Sequence, residues 1–225
     1  MMDSQKTLVQ EFFDNTAQTY DRIVKYATFG KDNLWKSQII SQMPESSRIL
    51  ELACGTGILT SKIAQKFPHS KIVGVDITKN YLEIAKKKLG SSKNISFVCQ
   101  DAQTIELDQE FDCIVSSYIP KYCEPKILIP NCIKHLKPKG KIIMHDFTLS
   151  QNKGVRFFWN LYFELLDVIG KLVPEWKNAF SKLPCLIRSS QWTNEYKKEL
   201  EQNGFSVKIR HLTWGCCAIL SGTRA

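Results

Sequence analysis

The sequence has no C-x-x-C pair and no His-x-x-x-His, so its eight cysteines (54, 99, 113, 123, 132, 185, 216 and 217) lack the spacing of a zinc site and no bound metal is expected. Six of them lie in apolar stretches such as FDCIV and GCCAIL, where a reduced thiol packs as a small hydrophobe. The vicinal Cys216 and Cys217 are expected on opposite faces of a strand. No apolar run approaches the roughly 18 residues of a membrane span. The start, MMDSQKTLVQEFFD, lacks the basic-then-apolar order of a signal peptide, so a cytoplasmic location is expected. Low-complexity tracts, internal repeats and glycine-serine linkers are also missing, which excludes disordered, collagen-like and coiled-coil chains. The 225 residues, 43% of them hydrophobic, suit one domain, residues 1–225. Arg-rich runs with interleaved aromatics are absent too, so the net charge of +9 (31 Lys+Arg against 22 Asp+Glu) is read as solvated helix faces rather than a nucleic-acid surface.

What is present is a repeated switch of hydrophobic period. Short continuous apolar runs read as strands: RILEL (48–52), KIVGVD (71–76), ISFVCQ (95–100), FDCIVSS (111–117), GKIIMHDF (140–147), FSVKIR (205–210) and WGCCAIL (214–220). Between the first five lie segments with apolar residues three and four apart, such as Leu59, Ile63, Ala64 and Phe67, which predict helices. The last two runs are separated by too few residues for a crossover, so one of those strands must run antiparallel. The expected fold is therefore α/β, a Rossmann-like doubly wound sheet of seven strands, mostly parallel, with one antiparallel strand near the C-terminus. Two regions fall outside the sheet: an N-terminal helical cap (1–45), with helical spacing at Leu8, Val9, Phe12 and Phe13, and a helical insertion (150–204). The insertion's helix VRFFWNLYFELLDVIGKLV confines Arg156, Asn160, Glu164, Asp167 and Lys171 to one narrow stripe. It reads as a packed helix, a lid over an apolar pocket, or a surface resting on a membrane.

The first strand runs into Ala53-Cys54-Gly55-Thr56-Gly57, where Gly55 and Gly57 allow a tight turn and close backbone approach to a ligand. Thr60 occupies the third glycine position of the dinucleotide fingerprint, which weakens a nicotinamide reading. Glu51, four residues before Gly55, suits an ammonium group and repels a pyrophosphate. Asp76, at the end of the second strand, can accept from both ribose hydroxyls, with Ile77 beside the adenine. Asp101, after the third strand, suits the adenine amine. Any one such acid reads equally as a helix cap. Three of them on successive strands describe a pocket for an adenosine that carries an amino acid.

The pattern resembles the class I S-adenosylmethionine-dependent methyltransferases and, more narrowly, the ubiquinone/menaquinone C-methyltransferase family. The words FFDNTAQTYDRI, TFGKDNLWK, LELACGTGILT, GVDITKNYLEIAKKK, LKPKGKIIMHDF, LIRSSQWTNEYKKELEQNGFSV and HLTWGCCAILSG carry that likeness across nearly the whole chain. It implies S-adenosylmethionine as cofactor. Glu51, Ala53, Gly55 and Gly57 then hold the methionine end, Asp76 and Ile77 the ribose and adenine, and Asp101 with Ala102 the adenine amine. Ser117 lies beneath the sulfonium, and Tyr20 and Lys36 close over the carboxylate. One departure matters. Where the family has FG-x-RN after strand four, this chain has Ser117-Tyr118-Ile119-Pro120-Lys121. Lys121, or Arg188 in the matching IR, becomes the candidate for orienting substrate oxygens, unless the substrate differs.

Methyl transfer from a sulfonium is an in-line displacement that needs alignment and exclusion of water. For a quinol carbon nucleophile, an acceptor of the phenolic proton is also needed, with His145, Asp146, Tyr118 and Tyr122 as candidates and a core role as the alternative for His145. The expected partner is a small, apolar acceptor, a prenylated quinol first, with O- or N-methylation of another small molecule as the alternative. Phe158 and Phe163 are expected to contact its tail. A nucleic-acid substrate is disfavoured because SSYIPKY replaces the N/D-P-P-aromatic motif. A non-catalytic cofactor-binding protein, peripheral membrane contact and a homodimer all remain compatible with the sequence.

Overall fold

The computed structural model describes Phe13 and residues 16–224; the expected helical spacing at Leu8, Val9 and Phe12 lies outside them. Seven strands form one sheet: β1 (Arg48–Leu52), β2 (Lys71–Asp76), β3 (Ile95–Cys99), β4 (Phe111–Ser117), β5 (Leu136–Phe147), β6 (Phe205–Leu212) and β7 (Cys217–Arg224). Their order is β3-β2-β1-β4-β5-β7-β6. The first five pair in parallel, and β7 lies antiparallel between β5 and β6.

Alternation along each strand splits the core in two. Leu50, Ile114, Ile142, Met144 and Leu220 face one layer, closed by α5 (Pro125–Lys134) and by α8 (Trp192–Gln202) through Trp192, Tyr196 and Leu200. Ile49, Cys113, Val115, Ile143 and Ile219 face the other, closed by α2 (Lys31–Ser41) through Ile39 and by α3 (Ile58–Lys66) through Leu59 and Ile63. Such two-sided burial is why these strands read as unbroken apolar runs. Helix α4 (Lys79–Leu89) follows β2, and α1 (Tyr20–Ala27) precedes α2.

A third cluster lies beyond the sheet's C-terminal edge. There α6 (Lys153–Leu172), α7 (Lys177–Ser189) and the 3-10 turn between them (Pro174–Trp176) pack Phe163, Leu166, Trp176, Phe180 and Ile187 around Tyr122, with Tyr20, Ile23 and Phe147 against them. The 150–204 region thus divides: α6 and α7 stand over the strand ends, while α8 is part of the sheet's own covering.

Four strands differ from expectation at their ends: β3 stops one residue earlier, at Cys99, β6 runs two residues further, to Leu212, and β5 and β7 start elsewhere. β5 starts at Leu136, which pairs with Phe111 before a register shift brings Lys141 opposite Cys113; Lys137, Pro138 and Lys139 hide that segment from an apolar-run search. β7 starts at Cys217, because Thr213–Gly215 is a 3-10 turn whose Thr213 and Trp214 have positive φ. Cys216 ends that turn instead of alternating with Cys217, and both are buried free thiols.

Candidate active site

Strand order reverses beside β1, whose neighbours are β2 and β4, so their C-terminal ends diverge and leave a crevice. A cavity opens there, with Ala53, Gly55, Asp76, Ile77, Asp101, Ala102 and Ser117 on its strand side. The backbone after β1 is left-handed at Ala53 (φ 52°) and Gly55 (φ 56°). A Cβ at Gly55 would meet nothing closer than Tyr81 at 3.9 Å, so this glycine presents its backbone to open cavity. Gly57 does different work: a Cβ there would stand 3.0 Å from Leu89 and 3.3 Å from Ala85, so it lets α3 and α4 approach, and it does not line the cavity.

Asp76 accepts from the Gly55 N–H and from the Thr78 N–H, both at 2.8 Å, which ties the glycine turn to β2. Burial raises its carboxyl pKa, against the pull of those bonds. Asp101 accepts from the Gln103 N–H at 2.9 Å and faces the same space. Glu51 lies behind the turn, 2% exposed, accepting from Thr60 Oγ1 at 2.6 Å. Burial pushes its carboxyl up to about 8, with Thr60 and the Lys36 ammonium opposing. Lys36 is itself buried and paired with Asp32, away from the cavity lining.

Around Ser117 a second network forms. Its Oγ lies 3.0 Å from His145 Nδ1. His145 is fully buried between Trp35 and Tyr118, and its Nε2 has no hydrogen-bond partner among the described residues. Burial and the Lys36 and Lys121 charges hold its pKa well below the usual imidazole range, so the ring is neutral. The cavity lining includes Ser117 but not His145. The structure therefore places His145 as a support for Ser117 rather than beside a substrate, because its side chain points into the packed sheet face.

Tyr118, at φ 73°, donates to Asp32 at 2.8 Å and stacks on Phe147. Its ring lines the cavity, but its hydroxyl is committed. Lys121 is buried against Asp146, Nζ to Oδ1 at 2.8 Å, and donates to the Tyr118 carbonyl at 2.9 Å. Its ammonium sits 4.4 Å from the Tyr122 ring centroid. Desolvation lowers its pKa and Asp146 opposes that shift. Among the described lining residues, Lys121 supplies the cation.

Arg188 is not brought to the cavity. Its guanidinium covers the Phe163 ring at 5.2 Å and bonds Asn160 at 3.1 Å on the exposed side of the α6–α7 hairpin. Phe163 lines the cavity, whereas Phe158, expected beside it, is 68% exposed. Five residues separate the two, which turns them about 140° apart on a helix. The remaining wall is largely apolar, with the rings of Tyr20, Trp159, Tyr162, Trp176 and Phe180 among aliphatic residues such as Ile23, Leu166 and Ile187. Tyr20 stacks on Trp176, and burial beside Asp32 and Asp76 keeps its phenol protonated. Sequence reasoning missed Asp21, which receives Thr56 Oγ1 and Lys88 Nζ and so ties α1 to the glycine turn. It also missed Asp32, for which the i, i+4 spacing to Lys36 was the available signal.

The model of the ubiE/COQ5 methyltransferase family matches residues 1–224. The chain belongs to this family. Its curated relatives include a mitochondrial 2-methoxy-6-polyprenyl-1,4-benzoquinol methylase from Caenorhabditis elegans, 25% identical over 96% of this chain and 79% of the relative. A demethylmenaquinone methyltransferase from Staphylococcus saprophyticus is 26% identical over 97% of both chains. Among solved structures, magnesium protoporphyrin IX methyltransferase (ChlM) from Synechocystis PCC 6803 superposes with a TM-score of 0.67 at 18% identity, over 98% of this chain and 100% of that one. The plantazolicin methyltransferase BpumL does so at 0.67 and 14%, over 100% and 96%. Both likenesses agree on the fold.

The chain is thus a methyltransferase whose cofactor is S-adenosylmethionine. Its residues fit that group: an open approach at Gly55 and acids Asp76 and Asp101 on the lining, with Glu51 buried behind the turn, outside that lining, and in no ion pair among the described residues.

Proposed function

We propose that this methyltransferase acts in the cytoplasm and methylates a ring carbon of a quinol that carries an apolar tail. The observation that carries the reading is the composition of the acceptor wall, where one cation, Lys121, stands in an enclosure of aromatic and aliphatic side chains. Of the three N–H groups of Lys121, one goes to Asp146 and one to the Tyr118 carbonyl, which leaves a third to point at a substrate oxygen. A quinol oxygen held there would lose its proton more readily beside the ammonium, and its ring carbon would become the nucleophile. Trp159 Nε1, buried without a partner among the described residues, offers a second donor on the α6 wall.

The cofactor, when bound, supplies an electrophilic methyl group on sulfur. Asp76 receives ribose hydroxyls, Asp101 and Ala102 the adenine edge, and Glu51 the ammonium end. Ser117, steadied by His145, sets the floor beneath the reacting centre. Tyr20, Phe163 and Trp176 exclude water from it, which favours a displacement that disperses charge. The names of the relatives, a polyprenyl-benzoquinol methylase and a demethylmenaquinone methyltransferase, support this substrate class.

The test is incubation with methyl-labelled S-adenosylmethionine and reduced quinones with and without a prenyl tail, with the product position read by NMR. The expected result is a carbon-bound methyl and faster turnover of the tailed acceptor. A methyl on oxygen or nitrogen moves the reading to a general small-molecule methyltransferase, for which the Pro120 and Lys121 replacements would then be the reason. Cofactor binding without turnover on any acceptor would leave a binding protein.

A further inference from the structure

Large apolar side chains scattered singly over a surface are ordinary, but here they are not scattered. Among the described residues all ten highly exposed ones belong to three segments: Tyr26, Phe29 and Leu34 at the α1–α2 corner, six residues of α6, and Trp214 at the β6–β7 tip. The six on α6 (Phe157, Phe158, Leu161, Leu165, Val168 and Leu172) are 52 to 78% exposed. At about 100° per residue they occupy one outward arc of roughly 100°. Tyr162, at the border of that arc, has its ring 5.4 Å from Phe29, so the α1–α2 corner continues the same surface. Trp214 joins it at the start of α6 through the bond from Ser150 Oγ to its carbonyl, 2.7 Å.

Backbone geometry singles out the same two tips. Phe29 (φ 50°) and Trp214 (φ 54°) are left-handed, a conformation that bulky residues avoid and that asparagine or glycine adopts readily. Each is followed by a glycine, and each is among the most exposed aromatics, at 75% and 82%. A chain that keeps Phe and Trp at strained, solvent-facing corners retains them for something they touch.

We infer that the outer arc of α6, with the Phe29 and Trp214 tips, is a docking surface for an anionic lipid bilayer. The rim selects that occupant. The exposed Lys25 and Lys31 flank the Tyr26–Phe29 corner, the exposed Lys153 begins α6 and the exposed Lys177 begins α7 just beyond its end, against the exposed Glu164 and Glu175, while Asp167 pairs with Lys171. Anionic headgroups complement such a rim, whereas an isologous contact with a second copy sets it against itself. The inner arc of the same helix, through Trp159, Phe163 and Leu166, lines the cavity, so docking seats the active-site wall on the lipid. This goes beyond the proposed substrate and does not depend on it.

The test is flotation of the full chain with vesicles of phosphatidylcholine, with and without phosphatidylglycerol. Wild-type protein should float with the anionic vesicles and lose most of that binding in high salt. Phe29→Asn with Trp214→Asn should bind about tenfold or more weakly while the melting temperature holds or rises, because asparagine relieves the strained φ. Phe158→Ser with Leu161→Ser should weaken binding independently of backbone strain. The inference fails if wild-type protein does not float, if both double variants float like wild type, or if sedimentation shows a dimer that these substitutions dissociate.

Discussion

At the strand ends, Ala53, Asp76, Asp101 and Ser117 follow or end four strands joined by parallel ladders, so each is placed by the sheet itself. Across the cavity, Tyr20, Trp159, Phe163 and Trp176 hang from α1, α6 and the link to α7, and meet the sheet through Tyr122 and Phe147. One wall is polar, backbone-bonded and rigid. The other is held by ring packing, which is less directional and tolerates changes of shape. A site so divided can keep its cofactor wall fixed while its acceptor wall changes shape.

The sharpest way to break this division is at Lys121, where the two walls meet. Lys121→Ala leaves Asp146 charged and buried, which should cost about 3–5 kcal/mol of stability in chemical denaturation. Lys121→Met combined with Asp146→Asn removes both charges, keeps an acceptor for a backbone N–H of Lys121 or Phe147, and should recover most of that stability. Acceptor turnover should stay lost in the double variant although cofactor affinity is near wild type. Recovered turnover would remove Lys121 from substrate binding.

On the strand side, Asp76→Ala should weaken S-adenosylmethionine binding by about 1.5–3 kcal/mol in calorimetry, the usual worth of hydrogen bonds to a charged group. Some stability should go as well, because the Gly55 and Thr78 N–H groups lose their acceptor. An unchanged affinity in a folded variant would take β2 out of the cofactor site.

These two walls were also unequally legible. β1, β2 and β4 were readable to the residue because strands buried on both faces leave continuous apolar runs, and the acids at their ends follow from the topology. The lid was readable as an apolar helix, but not as a helix with two apolar arcs facing different surroundings, so Phe158 and Phe163 looked alike. Arg188 was suggested by the matching IR and His145 by its place at the end of the fifth strand. Only tertiary packing turns one onto the outside of Phe163 and the other behind Ser117. The Lys121–Asp146 pair joins residues 25 apart in sequence, which no local period reveals.

Glu51 supplies a pH-dependent contrast. Its carboxyl titrates near 8 in the fold against 4.5 ordinarily, so between those values the folded chain holds a proton that the unfolded chain has released. The stabilising contribution is complete below about 4.5 and declines as pH rises toward about 8, by at most about 1.4 kcal/mol per pH unit. Melting temperatures across that range should fall in the wild type and flatten in Glu51→Gln. Saturating S-adenosylmethionine should offset the fall, since its ammonium favours the ionised carboxylate. Parallel curves for the two proteins would contradict the raised Glu51 carboxyl, and a fall that saturating S-adenosylmethionine leaves unchanged would contradict the assignment of Glu51 to the ammonium end.

The smallest expected effect lies where the helical wall is fastened to the strand side. Asp21 receives Thr56 Oγ1 and Lys88 Nζ, and Lys88 also donates to the Thr56 carbonyl at 3.3 Å. The ion pair is about two-fifths exposed, so solvent screens it and its worth to stability should be well under 1 kcal/mol. Its consequence is positional: it holds α1, and with it Tyr20, over the turn that ends β1. Asp21→Asn keeps a hydrogen-bond acceptor for Thr56 but loses the charge that holds Lys88. The variant should melt within a degree or two of wild type, yet release cofactor a few-fold faster in stopped-flow measurements, with the KM for the acceptor unchanged. An equal rise in acceptor KM would mean that the two walls move as one body, and the division between them would not extend to their dynamics.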